Sequence, residues 1–405
     1  MQVAKWLGCA ALGAAFGLVL AGAASAENIK IGIMVPYSGA NADLGAVQDK
    51  AFDLYMKLHA KDIAPHTVEL IKRDEGPPSG ANAKTVATEL ITRDKVNLLL
   101  GVVFSPSAIA MAPLVTQAKV PFIIANAGTA WITTLSPYIV RFSFSMWHDG
   151  YSMGTYAADK LKCKTAAMAY TVFPPGKDST EAFKTAFEKA GGKATDSIPM
   201  GNPAQVPDMT PFFQRVKDAK PDCLFVFIPS GSHAAAVVKT YGQLGLRKAG
   251  IKLIGPKDVV PDSYLQTMGD PAIGTIVMSS YSNDLDNAAN KAFVKAWHET
   301  YGANDYPDFE SANAWDAIDA VFHTIKKLNG KFDGDQFVNE IKKWSGNGPR
   351  GHVSIDPDTR DIVNDEHAME VIRKPDGKLG TKMLGTIQAV KDPCKELKIG
   401  RCGAP

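Results

Sequence analysis

Charge of one sign is what this sequence has least of: 44 Lys+Arg stand against 42 Asp+Glu in 405 residues, a formal net charge of +2. Without blocks of like charge there is no electrostatic footprint for nucleic acid or an anionic membrane surface, and neither is expected as a partner. Cysteine is scarce, at five, and no CxxC occurs, which argues against redox or zinc motifs. The eight histidines are scattered without metal-ligand spacing. Also missing are a GxSxG elbow, an HExxH, a GxxxxGKS/T loop and a GxGxxG turn opening a helix. The common nucleophile, zinc and nucleotide chemistries therefore have no carrier, so neither enzyme activity nor a cofactor is expected. The rest of the composition is ordinary, 45% hydrophobic and 21% charged, which excludes disorder, collagen and a coiled coil. At roughly 100–200 residues per domain, the length predicts two or three domains.

One long hydrophobic run is present, and it is N-terminal. After Lys5, residues 6–23 are apolar and lead into Ala24-Ser25-Ala26, the layout of a secretory signal peptide with cleavage after Ala26. A membrane anchor is the alternative, and Cys9 lies too early to be a lipid-modified cleavage cysteine. No later window reaches about 18 apolar residues, so the expected product is soluble and exported. Removing Cys9 leaves Cys163, Cys223, Cys394 and Cys402, an even number suited to an oxidising compartment. A Cys394–Cys402 bridge would staple the tail DPCKELKIGRC. Cys163 and Cys223 each open a predicted strand and can pair if those strands are neighbours, two free buried thiols being the alternative.

The chain reads as alternating strands and helices. Apolar strands at 29–35, 68–72, 98–103 and 120–125 are separated by helical stretches at 46–59, 82–93 and 106–118. Continuous apolar strands between amphipathic helices imply a parallel sheet covered on both faces. The rhythm restarts with strands at 165–171, 196–200, 224–228, 251–254 and 275–279, and helices at 179–190, 209–219 and 233–244. Residues 139–145 (IVRFSFS) read as an extended segment crossing between the two sheets. Three more helices (287–301, 311–328, 334–344) and β-like pieces at 351–355, 369–373 and 385–390 follow. Two hinged α/β lobes place a ligand cleft at the carboxyl ends of both sheets.

Candidate residues lie at the strand-to-helix turns. Asp74-Glu75 is read as a loop or cap pair, because adjacent strand residues point opposite ways. Ser105-Pro106-Ser107 places Ser105 as N-cap of the next helix, where free N–H groups and a hydroxyl suit a carboxylate; capping alone is the other reading. Asn126-Ala127-Gly128-Thr129 offers small residues for close backbone approach and a hydroxyl. Second-lobe turns hold Phe173-Pro174-Pro175, Pro229-Ser230-Gly231 and Gly255-Pro256-Lys257-Asp258. Trp147 is either core or an apolar wall of the cleft.

The opening IKIGIMVPYSGANADLG, the turn GVVFSPSA, VPFIIANAGT, YIVRFSFS and PDCLFVFIPSGSHAAAVVK before GIKLIGPKDV resemble periplasmic substrate-binding proteins of branched-chain amino acid and amide ABC importers. SFSMWHDGYSMGTYAA and GPRGHVSIDPDTRDIV look closest to the branch taking aromatic and other organic acids. The resemblance implies a type I fold, two doubly wound parallel-sheet lobes on a multi-strand hinge, and a monomer in the periplasm serving an inner-membrane permease. It divides the chain into a signal peptide (1–26), an N-terminal lobe (27–142 with 283–350), a C-terminal lobe (143–282 with 351–391) and a tail (392–405). It implies that Ser105, Ala127 and Thr129 hold a ligand carboxylate, with Tyr37, Phe104, Gly128, Trp147, Phe173, Pro175, Ser230, Lys257 and Asp258 completing the site. Amino-acid-binding relatives place a Tyr where this chain has Phe173 or Pro175. They place an ammonium-pairing acid where it has Lys257, followed by Asp258. Lys257 is expected either to pair a second acidic group or to be solvated. The expected ligand is a small carboxylate, aromatic acids first and a branched-chain amino acid second. A sensing module of the same fold and an exported hydrolase are the alternatives in other classes.

Overall fold

The computed structural model describes residues 26–39, 41–202 and 208–403; the expected signal segment, up to residue 25, lies outside them. The first lobe runs β1 (Asn28–Val35), α1 (Ala42–His59), β2 (Thr67–Asp74), α2 (Gly80–Thr92), β3 (Leu98–Gly101), α3 (Ser105–Ala118), β4 (Phe122–Ile124) and β5 (Ile139–Arg141). These strands form a five-stranded sheet in the order β2-β1-β3-β4-β5, every pairing parallel. Ile29, Ile31, Ile33 and Val35 of β1 are buried on one face and Met34 on the other, as a strand covered by helices on both sides requires.

The second lobe begins with α4 (Met146–Asp159) and continues through β6 (Thr165–Tyr170), α5 (Pro174–Lys189), β7 (Lys193–Pro199), α6 (Thr210–Ala219), β8 (Cys223–Phe227), α7 (Ser232–Gln243), β9 (Lys252–Pro256), α8 (Asp262–Met268) and β10 (Ile276–Ser279). The chain then returns to the first lobe with α9 (Ala288–Tyr301), α10 (Phe309–Lys327) and α11 (Gly334–Ile341), whose apolar faces join the β1 core. It finishes in β11 (Ser345–Gly348), β12 (Gly351–Ile355), the long hairpin β13 (Ile362–Arg373) and β14 (Leu379–Val390), and the short α12 (Pro393–Glu396). In the second sheet β7-β6-β8-β9-β10 are parallel, and β13, which continues it beside β10, is antiparallel. The lobes are therefore doubly wound α/β units, the second with an antiparallel extension.

Two elements differ from the sequence reading. Residues 139–145 are not all a crossing segment: β5 pairs with β4 as the fifth strand of the first sheet, and only the residues after Arg141 cross. Helix α4 gave no clear helical signal because Gly150, Ser152 and Gly154 interrupt it. Those glycines are packing requirements: a Cβ on Gly150 would stand 2.8 Å from the Ser179 carbonyl oxygen, and one on Gly154 2.4 Å from that of Phe183. Ser145 and His148 form the capping box that starts α4. Among the described residues no helix is long and apolar enough to cross a membrane.

Candidate ligand site between the lobes

The carboxyl ends of β3 and β4 face those of β6, β8 and β9, and a cavity lies between them. From the first lobe Leu44, Val103, Phe104, Asn126 and Gly128 line it; from the second, Phe173, Pro175, Phe227, Pro229, Ser230 and Asp258. Phe144, Met146 and Glu310 complete the wall. Phe173 and Phe227 lean together with ring centroids 6.0 Å apart. The Pro-Pro pair that reads as a loop in sequence sits at the first turn of α5, where a missing N–H costs nothing and the fixed φ suits a helix.

Ser105 and Thr129 meet just behind Phe104 and Gly128. Helix α3 starts at Ser105 with Phe104 as its N-cap, one residue earlier than the sequence suggests. The Ser105 hydroxyl is not a cap; its oxygen accepts the Thr129 N–H at 3.1 Å. That bond uses a lone pair of Ser105 and leaves its proton to donate elsewhere. Both side chains are fully buried, and the Thr129 hydroxyl has no hydrogen-bond partner among the described residues.

The helix end itself is partly occupied. Glu75 is completely buried, and its carboxylate accepts the N–H groups of Val103 at 2.8 Å and Phe104 at 3.1 Å. Burial pushes its pKa up to about 7 against the lowering effect of those bonds and of the Ser107 hydroxyl. Glu75 therefore acts as a cap from the β2 side, which agrees with the loop-or-cap reading of Asp74-Glu75. The amides entering α3 serve the protein's own carboxylate, so a bound anion must look to hydroxyls and to the turn at Gly128.

An acidic group that the sequence did not reveal completes the cavity. Glu310, in the first turn of α10, is 1% exposed, and its Oε2 has no partner among the described residues. Burial first, then the Asp308 charge, holds its pKa well above the usual carboxylate range, and the Ser230 hydroxyl lies beside it. Asp308 is the N-cap of α10, bound to Ser311 N–H at 3.2 Å, and its own pKa is raised by burial. Asp258 Oδ2 also lacks a partner, and burial raises that carboxyl to about 7. Acidic residues in a first helical turn are common for dipole reasons. Nothing in the local pattern distinguishes Glu310 from them, because its burial depends on the opposite lobe.

Ser105 and Thr129 are themselves buried behind the cavity wall and do not line it, and four more expected site residues lie elsewhere. Trp147 is 1% exposed and packs with Ala130, Ala182 and Cys394, its ring stacked on Tyr151; it is core. Lys257 is neither solvated nor open to a ligand, because its ammonium is buried against Asp262 at 2.9 Å. A strand-end lysine with a partner five residues on satisfies itself once Pro256 directs it inward. Tyr37 is 37% exposed, and its hydroxyl donates to Asp49 at 2.8 Å. Ala127 packs into the core with Val102 and Ile124, leaving Gly128 to face the cavity.

Behind the ligand turn lies a buried ionic network. Arg141, at the end of β5, donates from Nε to Asp361 at 2.7 Å, from Nη1 to the Thr129 carbonyl at 2.7 Å and from Nη2 to Asp392 at 3.2 Å. Lys395 of α12 also binds Asp361 and the Thr133 hydroxyl. The lobes touch here as well: Ala130 N–H, just after that turn, donates at 2.9 Å to Asp178 of α5. Both cysteine pairs are bonded, Cys394 to Cys402 in the tail, and Cys163, just before β6, to Cys223, the first residue of the adjacent β8, with Cα atoms 5.8 and 6.1 Å apart.

Residues 28–378 match the family model described as periplasmic binding protein. The chain is 34% identical over 373 residues to Leu/Ile/Val-binding protein homolog 6 of Brucella melitensis, covering 92% of this chain and 95% of that one. It is 41% identical to a solute binding protein of an ABC transporter from Rhodopseudomonas palustris BisB5 in complex with 3,4-dihydroxybenzoic acid, with a TM-score of 0.86 and coverage of 91% and 99%. A second solute binding protein from R. palustris, in complex with 4-hydroxybenzoate, is 36% identical with a TM-score of 0.86 and coverage of 90% and 98%. With its two lobes and the cavity between them, the chain belongs to the type I periplasmic binding proteins, the solute-binding components of ABC transporters.

Proposed function

We propose that the chain captures a small aromatic carboxylic acid in the interlobe cavity and delivers it to an inner-membrane permease, with no bond made or broken. The observation that carries this reading is the cavity: Phe104, Phe144, Phe173 and Phe227 wall it. The Ser105 and Thr129 hydroxyls stand directly behind the turn at Gly128. A ring fills the apolar wall, and the carboxylate takes the free proton of Ser105 and the unpartnered Thr129 hydroxyl. The benzoate-type ligands of the two R. palustris relatives support the same class. Closure of the second lobe over the ligand then selects the form the permease receives. The protein acts as a monomer in the periplasm after cleavage behind Ala26.

An α-amino acid is the second reading, favoured by Asp258 and Glu310, whose carboxyls can ionise to hold an ammonium. Calorimetric titration with benzoate, 4-hydroxybenzoate and leucine separates the two: aromatic acids bind and leucine does not. Ser105→Ala combined with Thr129→Ala weakens the aromatic acid roughly a hundredfold, the effect of two hydrogen bonds to a charged group. Unchanged affinity in that variant refutes the assignment.

A further inference from the structure

We propose that Glu310, Asp258 and Ser230 form a hydroxyl-reading end of the cavity, so that the preferred ligands are aromatic acids carrying a ring hydroxyl and unsubstituted benzoate is discriminated against. The inference rests on the aromatic-acid reading above and goes further by naming the substituent. Its ground is what the cavity contains and what it lacks. Among the described residues no Lys or Arg lines it, since Lys257 is buried against Asp262. Two carboxyls do line it, Asp258 at 8% exposure and Glu310 at 1%. Each has one oxygen with no protein partner, Oδ2 of Asp258 and Oε2 of Glu310.

A buried polar atom left without a partner costs about 1–3 kcal/mol, so a ligand that offers these oxygens a hydrogen bond is favoured over one that does not. The end of the ligand beside them cannot be its carboxylate, which would stand next to three interacting acids, Asp258, Asp308 and Glu310. A bare ring edge would leave both oxygens dry. A phenolic hydroxyl can donate to one acidic oxygen and accept from a protonated neighbour. Burial keeps that proton available, because Asp258 is raised to about 7 and Glu310 well above its usual range. The polar groups are thereby sorted: the Ser105 and Thr129 hydroxyls behind the wall after β3 and β4 in the first lobe, and at the other end Ser230 after β8 and Asp258 after β9, with Glu310 of α10 beside them. A site built to hydrogen-bond a hydroxyl rejects an analogue without it more strongly than an apolar pocket rejects a change in size.

The test is titration calorimetry of the wild-type protein with 4-hydroxybenzoate, 3,4-dihydroxybenzoate, benzoate and 4-methoxybenzoate, the last keeping the ring oxygen but not its proton. The hydroxylated acids are expected to bind at least about tenfold more tightly than the other two. Glu310→Met is expected to bring that ratio close to one, through a larger loss of affinity for the hydroxylated acids than for benzoate. Equal affinities in the wild type overturn the inference and leave the aromatic-acid reading standing; so does a ratio that survives both Glu310→Met and Asp258→Asn. Binding of leucine with no aromatic acid bound overturns both. If Glu310→Met does not fold, Glu310→Gln and the wild-type comparison of hydroxy with methoxy acids decide the matter.

Discussion

Replacing Arg141 with Met removes the cation that two buried carboxylates and two carbonyls share. Its side chain and those of Asp361 and Asp392 are at most 1% exposed. Deleting one partner of a buried pair costs about 3–5 kcal/mol, because the other charge stays buried and uncompensated. Here Asp361 keeps Lys395, and Asp392 keeps the Cys394 N–H at 2.9 Å, so the lower end applies. About 3 kcal/mol corresponds to roughly a hundredfold in the unfolding constant. Urea unfolding of the ligand-free protein followed by circular dichroism measures it. Charge-neutralising substitution of the exposed pair Lys295 and Glu299, whose side chains are 71% and 61% exposed, serves as the control and should move stability by less than about 0.5 kcal/mol. The sign of the pH dependence follows from Asp361. Burial raises its pKa, but Arg141 foremost and Lys395 next lower it further, to a net position below the ordinary 3.8. The stability it contributes is present above that ordinary value and is lost as pH falls through the lower folded-state value. The gap between wild type and Arg141→Met should thus be constant from about pH 8 to 5 and narrow in more acid solution. A loss below about 1 kcal/mol, or a gap that widens with acid, refutes the reasoning. Because Arg141 also holds the Thr129 carbonyl, the variant should bind ligand more weakly.

Two further outcomes are expected. Gly231 has φ +81°, and a Cβ there would stand 2.1 Å from Asp43 Oδ2 of the opposite lobe, so Gly231→Ala should obstruct closure; calorimetry should show weaker ligand binding, and wild-type affinity would show that the lobes do not need this approach. Removing the Cys163–Cys223 bridge, which spans 60 residues, should lower stability by up to about 4 kcal/mol. Removing Cys394–Cys402, which spans 8, should cost up to about 2.6 kcal/mol and act mainly on the tail; paired Cys→Ala variants in urea unfolding separate the two, and a larger loss from the tail bridge would contradict the chain-entropy argument.

The two α/β lobes were legible because β1, β3, β4, β6, β8 and β9 are short apolar runs between amphipathic helices, a pattern set by local burial on both faces. Helix α4 was not, because the glycines that spoil its helical pattern answer to α5, a neighbour in space. The site divides in the same way. Ser105 and Thr129 stand at turns fixed by their own strands and bond to each other, while of that group Gly128 is the one lining the cavity. Lys257 was misread because its partner Asp262 becomes visible only once the turn after β9 is folded. Trp147 was misread because an aromatic after a crossing strand looks the same whether it faces a cleft or a core. Glu310 was missed because its environment is made by Ser230 and Asp258, which belong to the other lobe.

The C-terminal segment has a practical consequence for handling the protein. The bridge from Cys394 to Cys402 ties helix α12 to the tail that follows it, and Asp392 at the start of the helix holds Arg141, which also donates to the carbonyl of Thr129. A dye, tag or surface tether attached beyond Cys402 therefore pulls on a lever connected to the turn where the ligand is expected. Affinity measured on protein immobilised through that end should be compared with the value in free solution.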